Sequence, residues 1–175
     1  FASGARVIPD SVSSPMRAFR QVGGQPLCIA SASGATVTDV DGNTYVDFLN
    51  AFGAQLVGHA HPHVIDAISR QARSGTVFGL TSPLEHQLAE RIVASTPALE
   101  QIRFVCSGTE AVMTATRIAR SHTKRSLIVK FLGSYHGHSD ALLADPATSG
   151  AAAKGSTHGI PDGLSRDTLT CHYND

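Results

Sequence analysis

The tripeptide Ser107-Gly108-Thr109 combines two hydroxyl side chains with a glycine where a predicted strand gives way to a predicted helix. The first N–H groups of a helix have no partner within the helix, so they favour a bound anion. Gly108 permits close backbone approach, and both hydroxyls can donate hydrogen bonds. The pattern therefore predicts an anion site. The alternative is that Ser107 or Thr109 only caps the helix, with Glu110 interacting with the helix dipole.

A second loop with unusual content, Gly-Ser-Tyr-His-Gly-His at residues 133–138, follows the next predicted strand. The carboxyl ends of parallel strands open at the same edge of a sheet, so we expect Tyr135 and His136 beside the anion at residues 107–109. A planar ring next to a phosphate site suits a phosphorylated aromatic cofactor. Taken singly, Tyr135 could be an amphipathic edge residue, and His136 and His138 ordinary polar loop residues.

Strand, helix and strand alternate in the segment that carries these two loops. Strands are predicted at residues 102–106 and 126–131, with a helix from about Glu110 to His122 between them. Such alternation indicates parallel strands joined by a crossover helix, with ligands at the carboxyl ends of the strands. We therefore predict an α/β fold with a mostly parallel central sheet flanked by helices.

The preceding part of the chain predicts an irregular arm, a small β unit and two helices. The arm covers residues 1–25, and Asp41-Gly42-Asn43 between two β-rich runs indicates a hairpin because these residues tolerate positive φ. A 3.6-residue period of apolar residues predicts the first helix. The second is expected to start with Ser82 as its N-cap, Pro83 at its first position and Glu85 completing a capping box.

The segment from Asp145 to Asp167 is rich in Gly, Ala and Ser and has no clear period. Loops of this length are usually functional lids or disordered. We predict that it closes over a bound cofactor and excludes water. Its flexibility would come from four glycines: Gly150, Gly155, Gly159 and Gly163.

Composition limits the class of protein. The 175 residues, 42% of them hydrophobic, suffice for an ordinary globular core, and no apolar run of about 18 residues is present to span a membrane. Basic and acidic residues number 14 each and are scattered, so we expect a small-molecule partner rather than nucleic acid or a membrane. Three widely spaced cysteines suit free thiols in a reducing compartment. Without an evident secretory signal, we expect a cytoplasmic location, or the plastid stroma in a plant.

Several sequences carry a resemblance to a known family. Four of them, in this spacing, resemble the N-terminal part of the class III aminotransferases, pyridoxal-phosphate enzymes of fold type I: `DVDGNTYVDF` (39–48), `GHAHP` (58–62), `FVCSGTEA` (104–111) and `GSYHGHSD` (133–140). Four more resemble the subfamily of glutamate-1-semialdehyde 2,1-aminomutases: `SSPMRAF` (13–19), `VGGQP` (22–26), `GTVFG` (75–79) and the closing `TLTCHYND`. The likeness covers less than half of such an enzyme, so we expect the chain to be part of a longer one.

The resemblance implies roles for both loops. In this family the Ser-Gly-Thr turn holds the phosphate of pyridoxal phosphate, which carries over to Ser107, Gly108 and Thr109. The Tyr of the Tyr-His-Gly loop stacks on the pyridine ring, which carries over to Tyr135, with His136 next to it. The cofactor phosphate is thus the anion implied at the strand-to-helix step.

The arm is implied to meet the substrate. In the aminomutases a Ser and an Arg of the arm bind the substrate carboxylate, which carries over to Ser14 and Arg17, and an Arg fork suits the two carboxylate oxygens. The alternative for Arg17 is a solvated charge on a loose arm. Phe52 stands where the aminomutases usually have a Trp near the substrate, and it offers an apolar wall without the indole N–H. Cys106 stands where most relatives have Asn.

The family's Schiff-base Lys and the acid that pairs with the pyridinium nitrogen belong to later segments. Lys124, Lys130 and Lys154 do not lie in matching contexts, so we assign no catalytic residue within this chain. The resemblance divides the chain into an arm and hairpin segment, residues 1–52, and the first part of a large cofactor-binding domain, residues 53–175. Since fold type I enzymes usually build the site between two subunits, it also implies a homodimer.

For the whole enzyme, the resemblance implies conversion of glutamate-1-semialdehyde to 5-aminolevulinate in tetrapyrrole biosynthesis. One alternative is a class III aminotransferase that acts on another amino acid or amine, for example in secondary metabolism. Another is a metal-binding module in which His59, His61 and His63 lie on one face of a strand, although Pro62 breaks that geometry.

Overall fold

The computed structural model describes residues 4–20, 22–145, 154–155 and 159–174. The chain forms two compact units, Phe1–Ser82 and Pro83–Asp175. The predicted division into residues 1–52 and 53–175 concerns the domains of the whole protein and stays a prediction. No helix among the described residues has the length and apolarity that a membrane crossing requires.

The first unit begins with the arm, whose described residues form three short 3-10 turns and no longer element. These turns cover Gly4–Arg6, Pro9–Ser11 and Pro15–Ala18. Prolines start the second and third turns, where their missing N–H costs no hydrogen bond. An ion pair between Arg20 and Asp10 joins the end of the arm to its second turn.

A three-stranded antiparallel sheet follows, in the order β1-β2-β3, with β1 at Ile29–Ser33, β2 at Thr36–Asp39 and β3 at Thr44–Val46. The hairpin between β2 and β3 confirms the prediction made from Asp41-Gly42-Asn43, and Gly42 has a φ of 87°. Asp39 is buried, and its Oδ1 accepts hydrogen bonds from the N–H of Asn43 at 2.8 Å and of Asp41 at 3.0 Å. This buried carboxylate therefore stabilises the turn by accepting hydrogen bonds from its backbone.

Two helices complete the first unit. The short helix α1, Asn50–Gly53, is a single turn whose residues have positive φ. The helix α2, Pro62–Ala72, has Pro62 in its first turn and confirms the helix predicted from the 3.6-residue period. His59, which lies between α1 and α2, forms an isolated antiparallel bridge with Gly34. This bridge connects the segment before α2 to the turn between β1 and β2.

The described residues of the second unit form α3, α4, a short α5 and four strands. The helices are α3 at Pro83–Ser95, α4 at Gly108–Thr123 and α5 at Asp162–Ser165. The strands β4, Ile128–Phe131, and β7, Thr168–Cys171, pair in parallel, with Ile128 opposite Thr168 and Phe131 opposite Cys171. A smaller antiparallel pair joins β5, Ala144–Asp145, to β6, Lys154–Gly155.

Hydrogen bonds anchor the segment after β4 onto this parallel pair. The Thr168 hydroxyl donates to the carbonyl of Ala141 at 2.7 Å, and the Lys130 ammonium donates to the carbonyl of Leu142, also at 2.7 Å. Thr168 and Leu142 are buried. The loop at residues 133–138 is thus held between β4 and a segment that is itself fixed to β7.

One predicted strand is wrong. Residues 102–106 form no strand, because no neighbouring segment in the described part of the chain pairs with them. A strand exists only where a neighbour accepts and donates its backbone hydrogen bonds, and the apolar pattern of a sequence does not supply that neighbour. The other predicted elements of this segment are present, since α4 and β4 cover the predicted helix and the second predicted strand.

The predicted lid at residues 145–167 falls largely outside the described residues, which omit 146–153 and 156–158. Its described parts are the end of β5, the two residues of β6 and the segment that contains α5. The three cysteines are free thiols, as the wide spacing predicted.

We expect the hairpin to be acid-sensitive. Hydrogen bonds from the Asn43 side chain and from backbone N–H groups hold the pKa of Asp39 below its ordinary value of 3.8. Because the folded pKa is the lower one, the stabilisation from the ionised carboxylate is complete above pH 3.8 and is lost as the pH falls through the folded pKa. Asp39→Asn should lower the free energy of unfolding at pH 7 and flatten its decline below pH 3.8.

Urea unfolding of the full-length protein and of this variant, at several pH values between 7 and 3, measures the difference. Because other carboxyl groups titrate in the same range, only the difference between the two proteins is informative. Parallel pH profiles for the two proteins would contradict the role of Asp39.

Candidate functional site

The N-terminus of α4 is capped by Ser107. Its Oγ accepts a hydrogen bond from the N–H of Glu110 at 3.2 Å, and its hydroxyl donates to the Glu110 carboxylate, also at 3.2 Å. The capping alternative for Ser107 is therefore present in the structure. Thr109 does not act as the cap, because it lies within the first turn of α4.

Capping by Ser107 leaves backbone donors at the start of α4. Among the described residues, the N–H groups of Gly108 and Thr109 donate to no acceptor. A Cβ placed on Gly108 would have no heavy atom within 4 Å, so the backbone here faces open space. An anion can therefore approach two unpaired N–H groups at the positive end of a 16-residue helix.

The second loop touches this helix start directly. The N–H of His138 donates to Thr109 Oγ1 at 2.9 Å. Gly137 is buried with a φ of 92°, and a Cβ on it would lie only 2.7 Å from Thr109 Cα. The contact brings the two predicted loops together although residues 102–106 form no strand. Neither the hydrogen bond nor the steric fit at Gly137 could be inferred from sequence spacing.

Tyr135 and His136 lie on the loop that this contact positions. The Tyr135 side chain is 75% exposed, so most of its surface is accessible to a ligand. His136 is half-buried. The described geometry thus combines unpaired helix N–H groups with an accessible aromatic ring two residues before the glycine that touches the same helix.

The predicted substrate residues lie in the first unit, whereas residues 107–138 lie in the second. Ser14 is the N-cap of the third 3-10 turn, and Arg17 lies within that turn. The N–H of Arg17 donates to the carbonyl of Ser14 at 3.1 Å. Arg17 is exposed, and its guanidinium has no partner among the residues the structure describes. Phe52, in α1, is 67% exposed.

The structure also joins two side chains that the sequence analysis did not connect. His59 Nε2 lies 2.7 Å from Asp47 Oδ2, and this hydrogen bond is the main reason that the pKa of Asp47 lies below its ordinary value of 3.8. The two residues are 12 positions apart in the chain, and no sequence spacing predicts such a pair. The described residues contain no group of three His, Cys, Asp or Glu side chains arranged to hold a metal ion.

The contact at Gly137 leads to a test with a matched control. Gly133 and Gly137 both have positive φ, 75° and 92°, so an alanine is strained at either position. Only at Gly137 would the new Cβ collide with Thr109, whereas at Gly133 it meets no atom within 4 Å. We expect Gly137→Ala to lower the free energy of unfolding by about 1–3 kcal/mol more than Gly133→Ala.

Gly137→Ala should also remove the protection of the His138 amide against hydrogen exchange, since the loop must move away from Thr109. Urea unfolding and hydrogen exchange of the full-length protein measure the two effects. Equal losses in the two variants would show that the close contact between Gly137 and Thr109 is not structurally important.

Comparison with known proteins agrees with this geometry. The family described as aminotransferase class-III matches residues 19–167. A glutamate-1-semialdehyde 2,1-aminomutase from Dichelobacter nodosus is 50% identical over 177 residues, which cover 100% of this chain and 41% of that protein. The chain thus spans less than half the length of this curated relative.

Solved structures extend the comparison to the fold. A transaminase with PLP bound is 38% identical, with a TM-score of 0.87 over 100% of this chain and 41% of that one. A glutamate-1-semialdehyde-aminomutase from Pseudomonas aeruginosa PAO1 is 27% identical, with a TM-score of 0.81 over 100% of this chain and 38% of that one. These likenesses confirm the predicted α/β fold class of type I, and together with the family match over residues 19–167 they establish that the chain belongs to the class-III aminotransferase family.

Proposed function

We propose that the whole protein is a pyridoxal-phosphate-dependent glutamate-1-semialdehyde 2,1-aminomutase that produces 5-aminolevulinate for tetrapyrrole biosynthesis. The observation that carries this proposal is the contact of Thr109 with His138, which joins the start of α4, with its two unpaired N–H groups, to the loop of Tyr135. The match to a curated aminomutase, which is 50% identical and covers 100% of this chain, supports the choice of reaction. The proposal concerns the longer protein, since this chain corresponds to 41% of that relative.

The residues present fit the cofactor phosphate. The N–H groups of Gly108 and Thr109 would bind two of its oxygens, and Thr109 Oγ1 can donate its proton while still accepting from His138. The Ser107 hydroxyl would join them by turning away from the Glu110 carboxylate. Space for the phosphate exists at Gly108, where a Cβ would have no heavy atom within 4 Å. Pyridoxal phosphate, when bound, supplies the electron sink for amino transfer.

The remaining assigned residues would orient the ring and the substrate. Tyr135 would stack on the pyridine ring, with His136 next to it. Ser14 and Arg17 would bind the substrate carboxylate, for which the guanidinium of Arg17, unpaired among the described residues, provides two parallel donors. Phe52 would form an apolar wall that excludes water from the reacting carbons.

A transaminase that acts on another amino acid or amine is the second candidate. It is favoured by the solved transaminase, which is more similar in sequence than the solved aminomutase, and by Phe52 in place of the usual Trp. The two reactions differ in stoichiometry, because an aminomutase returns the amino group to the same carbon skeleton. Conversion of glutamate-1-semialdehyde without any added amino acceptor supports the aminomutase, and a strict requirement for an acceptor supports the transaminase.

We further propose a cytoplasmic homodimer that acts on a small amino or carboxylate substrate, without nucleic-acid or membrane partners. The balanced charge, 14 basic and 14 acidic residues, supports the choice of partner. A mass of one subunit for the active full-length enzyme, measured by light scattering, would contradict the dimer.

The phosphate assignment predicts that Gly108→Val releases the cofactor without damaging the fold. The new side chain would point into open space, so the thermal stability of the cofactor-free enzyme should stay nearly unchanged. It would instead cover the two N–H donors, and each lost charge-assisted bond costs about 1.5–3 kcal/mol, or roughly a 10- to 100-fold weaker affinity.

Titration of the cofactor-free enzyme with pyridoxal phosphate, followed by absorbance, measures the affinity. Gly108→Ala is the smaller matched change and should weaken binding less. An unchanged affinity in Gly108→Val would refute the phosphate site, and a large loss of stability without cofactor would show that the variant acts through the fold.

The substrate assignment predicts that Arg17→Ala lowers kcat/KM for glutamate-1-semialdehyde by roughly one to two orders of magnitude, because a charge-assisted contact of about 1.5–3 kcal/mol is lost. The absorption spectrum of the bound cofactor should stay the same. Arg6→Ala is the matched control, since Arg6 is an exposed arginine of the same arm. If Arg17→Ala turns over carboxylate substrates normally, the transaminase becomes the better interpretation.

A further inference from the structure

The segment between β3 and α2 contains an unusual run of backbone conformations. Four consecutive residues, Asn50–Gly53, have φ values of 50°, 48°, 57° and 92°. Such left-handed geometry is unfavourable for residues with a Cβ, and outside glycine it is normally visited by single residues. Asn and Gly tolerate it, but Ala51 and Phe52 do not favour it. Surrounding contacts must therefore hold this turn in place.

The carboxylate of Asp47 holds the entrance of the turn. Its Oδ1 accepts hydrogen bonds from the N–H groups of Leu49 and Asn50, each at 2.9 Å. The N–H of Phe52 then donates to the carbonyl of Leu49 at 2.9 Å. The direction in which the chain enters the left-handed turn thus depends on the position of one carboxylate.

His59 holds the second oxygen of that carboxylate. Its Nε2 lies 2.7 Å from Asp47 Oδ2, and the two side chains are only 18% and 12% exposed. Since the pKa of Asp47 is lowered, its carboxylate is ionised at neutral pH and can only accept, so Nε2 is the donor. The shielded, charge-assisted bond fixes the Asp47 side chain to His59.

His59 is in turn fixed to the sheet. Its N–H and carbonyl each form a 2.9 Å hydrogen bond with Gly34, in the turn between β1 and β2. Next to it, Gly58 packs so tightly that a Cβ would lie 2.9 Å from the carbonyl oxygen of Gly34. The sheet, His59, Asp47 and the left-handed turn therefore form one continuous chain of contacts.

We propose that the Asp47–His59 pair is a clasp that sets the position of Phe52, the residue assigned to contact the substrate. Phe52 is 67% exposed, so the backbone of the turn rather than packing of its own ring fixes where it stands. Asp47 and His59 are thus positioning residues that act through Phe52. The inference rests on the proposed function, in which Phe52 forms the apolar wall beside the substrate.

A double-mutant cycle on the full-length holoenzyme tests the clasp. His59→Ala, Phe52→Ala and the double variant are compared by kcat/KM for glutamate-1-semialdehyde and by cofactor content. We expect His59→Ala to lower kcat/KM roughly ten- to a hundred-fold, the size of a small misplacement of a group that contacts substrate. In the Phe52→Ala background, His59→Ala should lower kcat/KM less than about two-fold, because the phenyl ring that His59 helps to position is absent.

Two further variants separate positioning from general stability. His59→Gln keeps an N–H donor and should recover part of the activity lost in His59→Ala. Asp39→Ala is the matched control, because Asp39 is another shielded carboxylate that binds two turn N–H groups, but these belong to its own hairpin rather than to the loop of Phe52. Any fold-change in kcat/KM caused by Asp39→Ala should be the same with and without Phe52→Ala. Should His59→Ala fail to fold, Asp47→Asn takes its place in the cycle.

The outcomes distinguish the clasp from the function on which it rests. If Phe52→Ala alone leaves kcat/KM unchanged, the substrate contact assigned to Phe52 is wrong. Phe52→Ala can also lower kcat/KM by a factor that simply multiplies with the factor for His59→Ala in the double variant. That result would overturn the clasp and leave the proposed function standing. Coupling of the two changes, with recovery by His59→Gln, supports the clasp.

Discussion

The contact between Thr109 and residues 137–138 is the interaction on which the geometry of the candidate site depends. One hydrogen bond from the His138 N–H contributes only about 0.5–1.5 kcal/mol, so it does not by itself explain a defined geometry. The definition comes from Gly137, whose missing side chain lets two backbones meet where a Cβ would be 2.7 Å from Thr109 Cα. The close approach of Gly137 and the hydrogen bond of His138 leave the loop little freedom to move. The backbone of Tyr135, on the same loop, is therefore positioned by them.

In the proposed cofactor site, the Ser107 hydroxyl would have two roles, as the cap of α4 and as a donor to the phosphate. Without an anion, Ser107 satisfies the N–H of Glu110 and binds the Glu110 carboxylate, a cap of about 1 kcal/mol. A phosphate with two negative charges would take over the same hydroxyl, and charge-assisted hydrogen bonds are stronger than neutral ones. The two backbone donors at Gly108 and Thr109 have no acceptor among the described residues in either case. The helix start is therefore capped without a ligand, and the proposed phosphate site would require only that the Ser107 hydroxyl turn away from Glu110.

Carboxylates organise two turns of the first unit in the same way. Asp39 binds the N–H groups of the β2–β3 turn, and Asp47 binds those that lead into α1. Each has a pKa below the ordinary value, first because of a side-chain hydrogen bond, from Asn43 to Asp39 and from His59 to Asp47, and further because the backbone donors favour the ionised form. The turn at α1 requires the stronger support, because left-handed geometry costs about 1–2 kcal/mol for each residue that carries a Cβ. His59 provides that support by holding the other oxygen of Asp47.

The sequence by itself determined the features whose causes are local. Asp41-Gly42-Asn43 tolerates the positive φ of its turn, and the apolar periods of α2 and α4 need only neighbours three and four residues away. It also carried the family resemblance, since the motifs around residues 39–48, 104–111 and 133–140 are continuous stretches. The Ser-Gly-Thr step predicts an anion site because a helix start has unpaired donors wherever it occurs, and the structure shows such donors at Gly108 and Thr109.

Tertiary structure decided the features whose causes lie far apart in the chain. Residues 102–106 have a strand-like pattern but form no strand, because pairing needs a neighbour that a local pattern cannot supply. The fit of Gly137 against Thr109 joins residues 28 positions apart, and no propensity encodes it. Ala51 and Phe52 would favour right-handed or extended backbone on their own. They adopt the left-handed turn because Asp47 and His59, fixed to the sheet, determine how the chain enters it.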